Sequence, residues 1–126
     1  MTPFGERLRQ LRHERDLNQK DMAKALQVSP AYLSALEHGR RAKPTFPFVQ
    51  RVIGYFNIIW DEAEELQRLA SLSQPRVTVD TSGLDPLATE VANLLARNVR
   101  ELDRSALLSI KEIIAPPGNR SAKKAP

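Results

Sequence analysis

The 126-residue chain carries 19 Lys/Arg against 15 Asp/Glu, for a formal net charge of +4, and it has no cysteine. That length suits one compact domain with an accessory element and excludes two large cores. The missing cysteines exclude disulfides, thiolate zinc sites and a cysteine nucleophile together, and no apolar run approaches the roughly 18 residues of a membrane span.

Apolar residues recur at helical spacing nearly throughout, which predicts an all-α chain. The first helix is predicted over 3–15, entered through Thr2 and Pro3, with Phe4, Leu8 and Leu11 inward. Asn18 caps a second helix, 19–26, with Met22, Ala23 and Leu26 inward and Asp21 beside the positive end of the helix dipole. Gln27 and Val28 make a tight turn. Ser29 then caps a third helix, Pro30 sits in its first turn, where an absent N–H costs nothing, and Gly39 ends it. A fourth helix, 46–56, keeps Pro47 in its first turn and stops at Asn57 in a left-handed conformation. Asp61 with Glu64 forms a capping pattern for a fifth helix, 62–72. Trp60, together with Phe56 and Ile59, is expected to close the core of this first domain, residues 1–73.

The run "SQPRVTVDTSG" opens a linker, 74–83, in which Val77–Thr78–Val79 alternates like a strand too short to be stable alone. Asp85-Pro86 starts a sixth helix, 86–101, and Asp103 caps a seventh, 104–114; together they form a hairpin over 84–115. Residues 116–126, "PPGNRSAKKAP", hold too few apolar side chains to fold and read as a disordered basic tail. A two-helix hairpin cannot bury by itself the apolar face that these helices present. It either packs on the first domain or meets a copy of itself. The intervening spacer favours a homodimer joined through Leu87, Val91, Leu94, Leu95, Leu102, Leu107, Ile110 and Ile114.

Charge is unevenly placed. Residues 1–56 hold ten Lys/Arg against five Asp/Glu, whereas residues 57–73 hold one against four. A basic front half beside an acidic helix indicates a polyanion partner on one face. Catalysis has no support: His13 and His38 are isolated, the "DEAEEL" run reads as a helix start and solvated face, and no glycine-rich phosphate loop exists. No metal, cofactor or membrane is expected, and an N-terminus without an apolar signal core points to a cytoplasmic protein.

Two helices joined by a short turn, the second capped by Ser-Pro, have helix-turn-helix proportions. The run "LRQLRHERDLNQKDMAKALQVSPAYLSALEHGRRAKPTFPFVQRVIGYFNI" resembles the DNA-binding domain of the xenobiotic-response-element (XRE) family, the lambdoid phage repressor type. Gln19 opens the first motif helix, Ala23 lies on its inner face, "VS" makes the turn, Leu33 and Leu36 point inward, and "LEHGRRAKP" follows. The likeness covers residues 4–57 and extends loosely to about 73.

This resemblance implies a five-helix repressor-like domain that binds double-stranded DNA, with helix 29–38 in the major groove. Gln19, otherwise an exposed polar residue of a first turn, would touch a phosphate or an adjacent base. The groove-facing positions would be Ser29, Pro30, Ala31, Tyr32, Ser34 and Ala35. None is Lys, Arg, Asn or Gln, the types that make bidentate base contacts worth roughly 1–3 kcal/mol each, so direct readout is expected to be sparse. Tyr32 either offers its hydroxyl to a phosphate or base edge or half-buries its ring against the second helix. Arg40, Arg41 and Lys43, three cations within four residues, would grip phosphates. The resemblance also implies a partly buried ion pair between Arg12 and Glu37. One departure is Gln27, which stands where many such turns carry glycine.

The resulting expectation is a cytoplasmic, nucleoid-associated DNA-binding transcriptional regulator, a dimeric repressor. The competing expectation is an antitoxin whose front half binds operator DNA and whose back half neutralises a partner toxin.

Overall fold

The computed structural model describes residues 1–40 and 43–115. Arg41 and the basic tail 116–126, both assigned above, lie outside the described residues. Among the described residues the architecture is all-helical, and the chain divides between Thr78 and Val79, within the linker, into two units.

The first unit contains α1 (Pro3–Glu14), α2 (Gln19–Ala25), α3 (Pro30–Glu37), α4 (Phe46–Phe56) and α5 (Trp60–Ser71). Four of these begin on a side chain that accepts a backbone N–H otherwise lacking a partner. Thr2 accepts from Gly5 at 3.0 Å, Asn18 from Asp21 at 2.7 Å, Ser29 from Tyr32 at 3.0 Å and Thr45 from Phe48 at 3.3 Å. Proline in the first turn of α1, α3 and α4 pre-sets the helical φ at no hydrogen-bond cost. The apolar faces converge on one core: α1 contributes Phe4, Leu8 and Leu11, α3 Leu33 and Leu36, and α4 Phe48, Val49, Val52 and Phe56. Phe48 stands at its centre, edge-on to Phe4 at 6.3 Å between ring centroids and to Tyr32 at 5.7 Å.

The start of α5 departs from the sequence expectation. It begins at Trp60, Ile59 occupies the cap position with no side-chain cap bond, and Asp61 lies inside the first turn beside Glu62. There both carboxylates favour the helix dipole instead of capping it. Trp60 is 81% exposed with φ 52°, and Ile59 is 63% exposed, so of the three residues expected to close the core only Phe56 does so. The reason is the turn at Asn57, where φ is 57° and the Ile58 N–H returns to the Ile53 carbonyl at 3.0 Å. That fold-back lays Ile58 on the core and sends the next two side chains outward.

The second unit contains α6 (Pro86–Asn98), a single 3-10 turn (Val99–Glu101) and α7 (Arg104–Ile114). Asp85 and Asp103 cap the two helices, accepting from Leu87 and Ala106 at 2.7 and 2.8 Å. The sixth helix thus ends sooner than 101, as its last turn tightens. Neither α6 nor α7 buries a single residue. No strand forms among the described residues: Val77 and Val79 are exposed and have no ladder partner. In the linker, the Ser82 N–H donates to Asp80 at 2.9 Å, and hydrogen bonding from Ser82 holds the Asp80 carboxyl below the usual carboxylate range.

Candidate nucleic-acid interface

The third helix is held at both ends by the same backbone device. At the α2–α3 turn, Gln27 adopts φ 62°, its N–H donates to the Lys24 carbonyl at 3.2 Å, and the Val28 N–H reaches the Ala23 carbonyl at 3.0 Å. Val28 tucks against the core, the apolar contact that accompanies this left-handed helix ending. A non-glycine in that conformation costs about 1 kcal/mol. At the far end, Gly39 takes φ 70° while Gly39 and Arg40 donate to Leu36 and Ala35 at 3.2 and 2.9 Å. A Cβ on Gly39 would press on Met1 and Thr2 at 3.0 Å, so the amino end of α1 lies against this turn.

Glycine is also required at Gly5, a position that the helical pattern alone does not flag. A Cβ there would collide with the Leu36 carbonyl oxygen. The missing side chain lets α1 approach the carboxyl end of α3 backbone to backbone.

A charged cluster locks the same contact. Arg12 of α1 donates through Nε and Nη2 to the two carboxylate oxygens of Glu37 at 2.9 and 3.0 Å, and through Nη1 to the Leu17 carbonyl at 3.2 Å. Glu37 is only 1% exposed. Its Oε1 accepts a further hydrogen bond from the Gln19 amide at 3.0 Å. The first residue of α2 is therefore tied to the last residue of α3, with its amide already engaged before any ligand arrives. This Gln19 contact spans 18 residues and has no local sequence signal.

At the amino end of α3, Ser29, Pro30 and Ala31 are exposed, while Ser34 and Ala35 are half-buried. The Tyr32 ring is half-buried too, packed against the core and edge-on to Phe48 of α4. At the carboxyl end, Ser34 lies near His38, whose Nδ1 sits 2.8 Å from the Ser34 carbonyl oxygen. Arg40 and Lys43 are exposed. The unit therefore presents a small-residue helix tip, with exposed cations following the helix in the chain. Such a surface can lie close to a polyanion and gain charge-assisted contacts. No group of three or more His, Asp or Glu able to hold a metal ion occurs among the described residues, and no helix among them is long and apolar enough to cross a membrane.

Comparison with known proteins agrees with this geometry. Residues 3–66 match the family described as a helix-turn-helix domain. Over 53 residues the chain is 47% identical to the HTH-type transcriptional regulator DdrOP3 of Deinococcus deserti, a span of 42% of this chain and 40% of that protein. Over 40 residues it is 48% identical to the HTH-type transcriptional regulator RamB of Mycobacterium tuberculosis, covering 32% of this chain and 8% of RamB. The matched segments thus span less than half of either relative.

Proposed function

Because the chain belongs to the helix-turn-helix domain family over residues 3–66, we propose that it is a sequence-specific DNA-binding transcriptional regulator, a dimeric repressor acting on the nucleoid in the cytoplasm. The observation that carries this reading is the arrangement of α3. Its exposed Ser29–Ala31 tip is free to enter a major groove while its other end is fixed by the Arg12–Glu37–Gln19 cluster. Helix 29–38 reads the groove, and Arg40, Arg41 and Lys43 hold the flanking phosphates. The named roles of its two relatives as transcriptional regulators point the same way.

Few side chains on this helix suit bidentate base contacts, so shape and deformability of the DNA carry much of the specificity. Tyr32 is assigned two duties, ring packing on Phe48 and a hydroxyl contact to DNA. Gln19 is assigned a positioning duty through Glu37 beside its DNA contact. Dimerisation is assigned to the apolar residues of α6 and α7, which stay unburied within one copy.

The experiment is a duplex titration across a range of salt concentrations with the full chain and with Arg41→Ala and Tyr32→Phe. Arg41→Ala is expected to weaken binding to all sequences and to flatten the plot of log K against log salt by about one unit. Tyr32→Phe keeps the ring contact and removes only the hydroxyl; weaker binding is expected. An unaltered salt slope for Arg41→Ala would remove the phosphate assignment.

The antitoxin reading shares the first unit and differs in what covers α6 and α7. A folded symmetric dimer of the isolated chain supports the regulator. A monomer whose 84–114 segment turns helical only with a second protein supports the antitoxin.

A further inference from the structure

Lys43 is gripped from two sides. Its backbone N–H donates to the side-chain oxygen of Gln74 at 3.0 Å, across 31 positions of sequence. The next residue, Pro44, is buried, and a residue before proline is confined to extended backbone. The Lys43 side chain itself is exposed. Gln74 in turn rises from a firm base. The hydroxyl of Ser73, which is 2% exposed, donates to the Leu69 carbonyl at 2.6 Å and accepts the Phe4 N–H at 2.9 Å. The segment leaving α5 is therefore pinned to the core at Ser73, and one residue later it reaches out to the chain that follows the third helix.

A single exposed hydrogen bond of this kind adds little to folding in a domain whose core is already closed by five helices. Its effect is directional. With Pro44 seated and the N–H held, the backbone of Lys43 has lost its freedom on folding rather than on binding, which is preorganisation for a ligand of its exposed ammonium. We propose that Gln74 is a positioning residue for DNA binding: it acts through the Lys43 backbone to aim the Lys43 ammonium at a phosphate. The proposal rests on the DNA-binding reading above.

The test uses the full chain, a mixed-sequence duplex oligonucleotide and Gln74→Met, which keeps side-chain length and removes the acceptor. Affinity at low salt is expected to fall about three- to tenfold, and the salt slope to flatten by about one unit, as for Lys43→Ala. The unfolding midpoint should stay unchanged. In the Lys43→Ala background, Gln74→Met should add no further loss, because the two changes remove one contact. Amide exchange gives a readout that needs no variant to fold: the Lys43 N–H of the unaltered chain should exchange more slowly than an open-chain amide.

Two results overturn the proposal: a Lys43 amide exchanging at the open-chain rate, or a Gln74→Met slope equal to the parent's, whether or not the unfolding midpoint falls. Failure of the unaltered chain to bind duplex DNA overturns the DNA-binding reading itself, and this one with it, before any variant is compared.

Discussion

Glu37 and Glu65 each meet an arginine through two hydrogen bonds, yet burial gives the two pairs different weight. Arg68 and Glu65 pair at 2.8–2.9 Å on the surface, and that hydrogen bond raises the Arg68 pKa. Water competes there, so the pair contributes at most about 1 kcal/mol. Glu37 has no such access, with its side chain 1% exposed against 13% for Arg12. Removing Arg12 strands a buried carboxylate, and Arg12→Met is expected to destabilise the first unit by about 3–5 kcal/mol. Glu37→Gln keeps one oxygen for Arg12 Nη2 and Gln19 but sets an amide NH2 against the Arg12 Nε–H. With Arg12 the more exposed partner, it should cost about 1–3 kcal/mol, less than Arg12→Met. Urea unfolding of both variants checks the ordering. A loss under about 1 kcal/mol for Arg12→Met would place the pair among ordinary surface bridges.

At the scale of elements, four helices of the first unit end in the same way. A left-handed residue follows α1, α2, α3 and α4 at Asp16, Gln27, Gly39 and Asn57, with φ between 53° and 70°. After α1, α2 and α4 the next residue is apolar, Leu17, Val28 or Ile58, and folds back against the core. After α3 it is Arg40, exposed. The backbone device is shared, and the one helix assigned to DNA continues into a cation rather than an apolar plug. Helix approach is a second matter at this scale. Gly5→Ala improves helix propensity by about 0.8–1 kcal/mol. It also drives a methyl group into the Leu36 carbonyl, and overpacking costs about 1–3 kcal/mol. The collision is with backbone, which cannot rotate away, so a net loss of up to about 2 kcal/mol is expected, read as a lower unfolding midpoint with weakened DNA binding.

For the whole molecule, the decisive contrast is between a first unit with a closed core and a second unit whose described residues form none. Leu87, Val91 and Leu94 of α6 are more than half exposed, as are Ile113 and Ile114 of α7. Helices of this length are marginal alone in water, and in the proposed dimer a second copy covers them. Leu94→Asp is expected to yield a monomer in sedimentation velocity, with helical signal lost from 84–114 and the unfolding of the first unit unchanged. A dimer that survives Leu94→Asp and a matching Ile110→Asp would move the contact away from these helices.

Legibility in the sequence followed the range of the interaction. Caps and stops act over three or four residues, so Thr2, Asn18, Ser29, Gly39, Asn57, Asp85 and Asp103 could be placed from the chain alone, and with them most helix boundaries. Helical spacing likewise marked Phe4, Leu8 and Leu11 as inward, whereas the family resemblance placed Leu33 and Leu36 inward. The pairing of Arg12 with Glu37 came from resemblance, since no local rule joins residues 25 positions apart. Only the tertiary structure decided that Gln19 is bound to Glu37, that Tyr32 leans on Phe48, that Gly5 admits a carbonyl, and that Trp60 faces out. Each of these depends on where a second helix lies. Periodicity tells a side chain which face of its own helix it occupies, but what that face meets is set by the packing of all five.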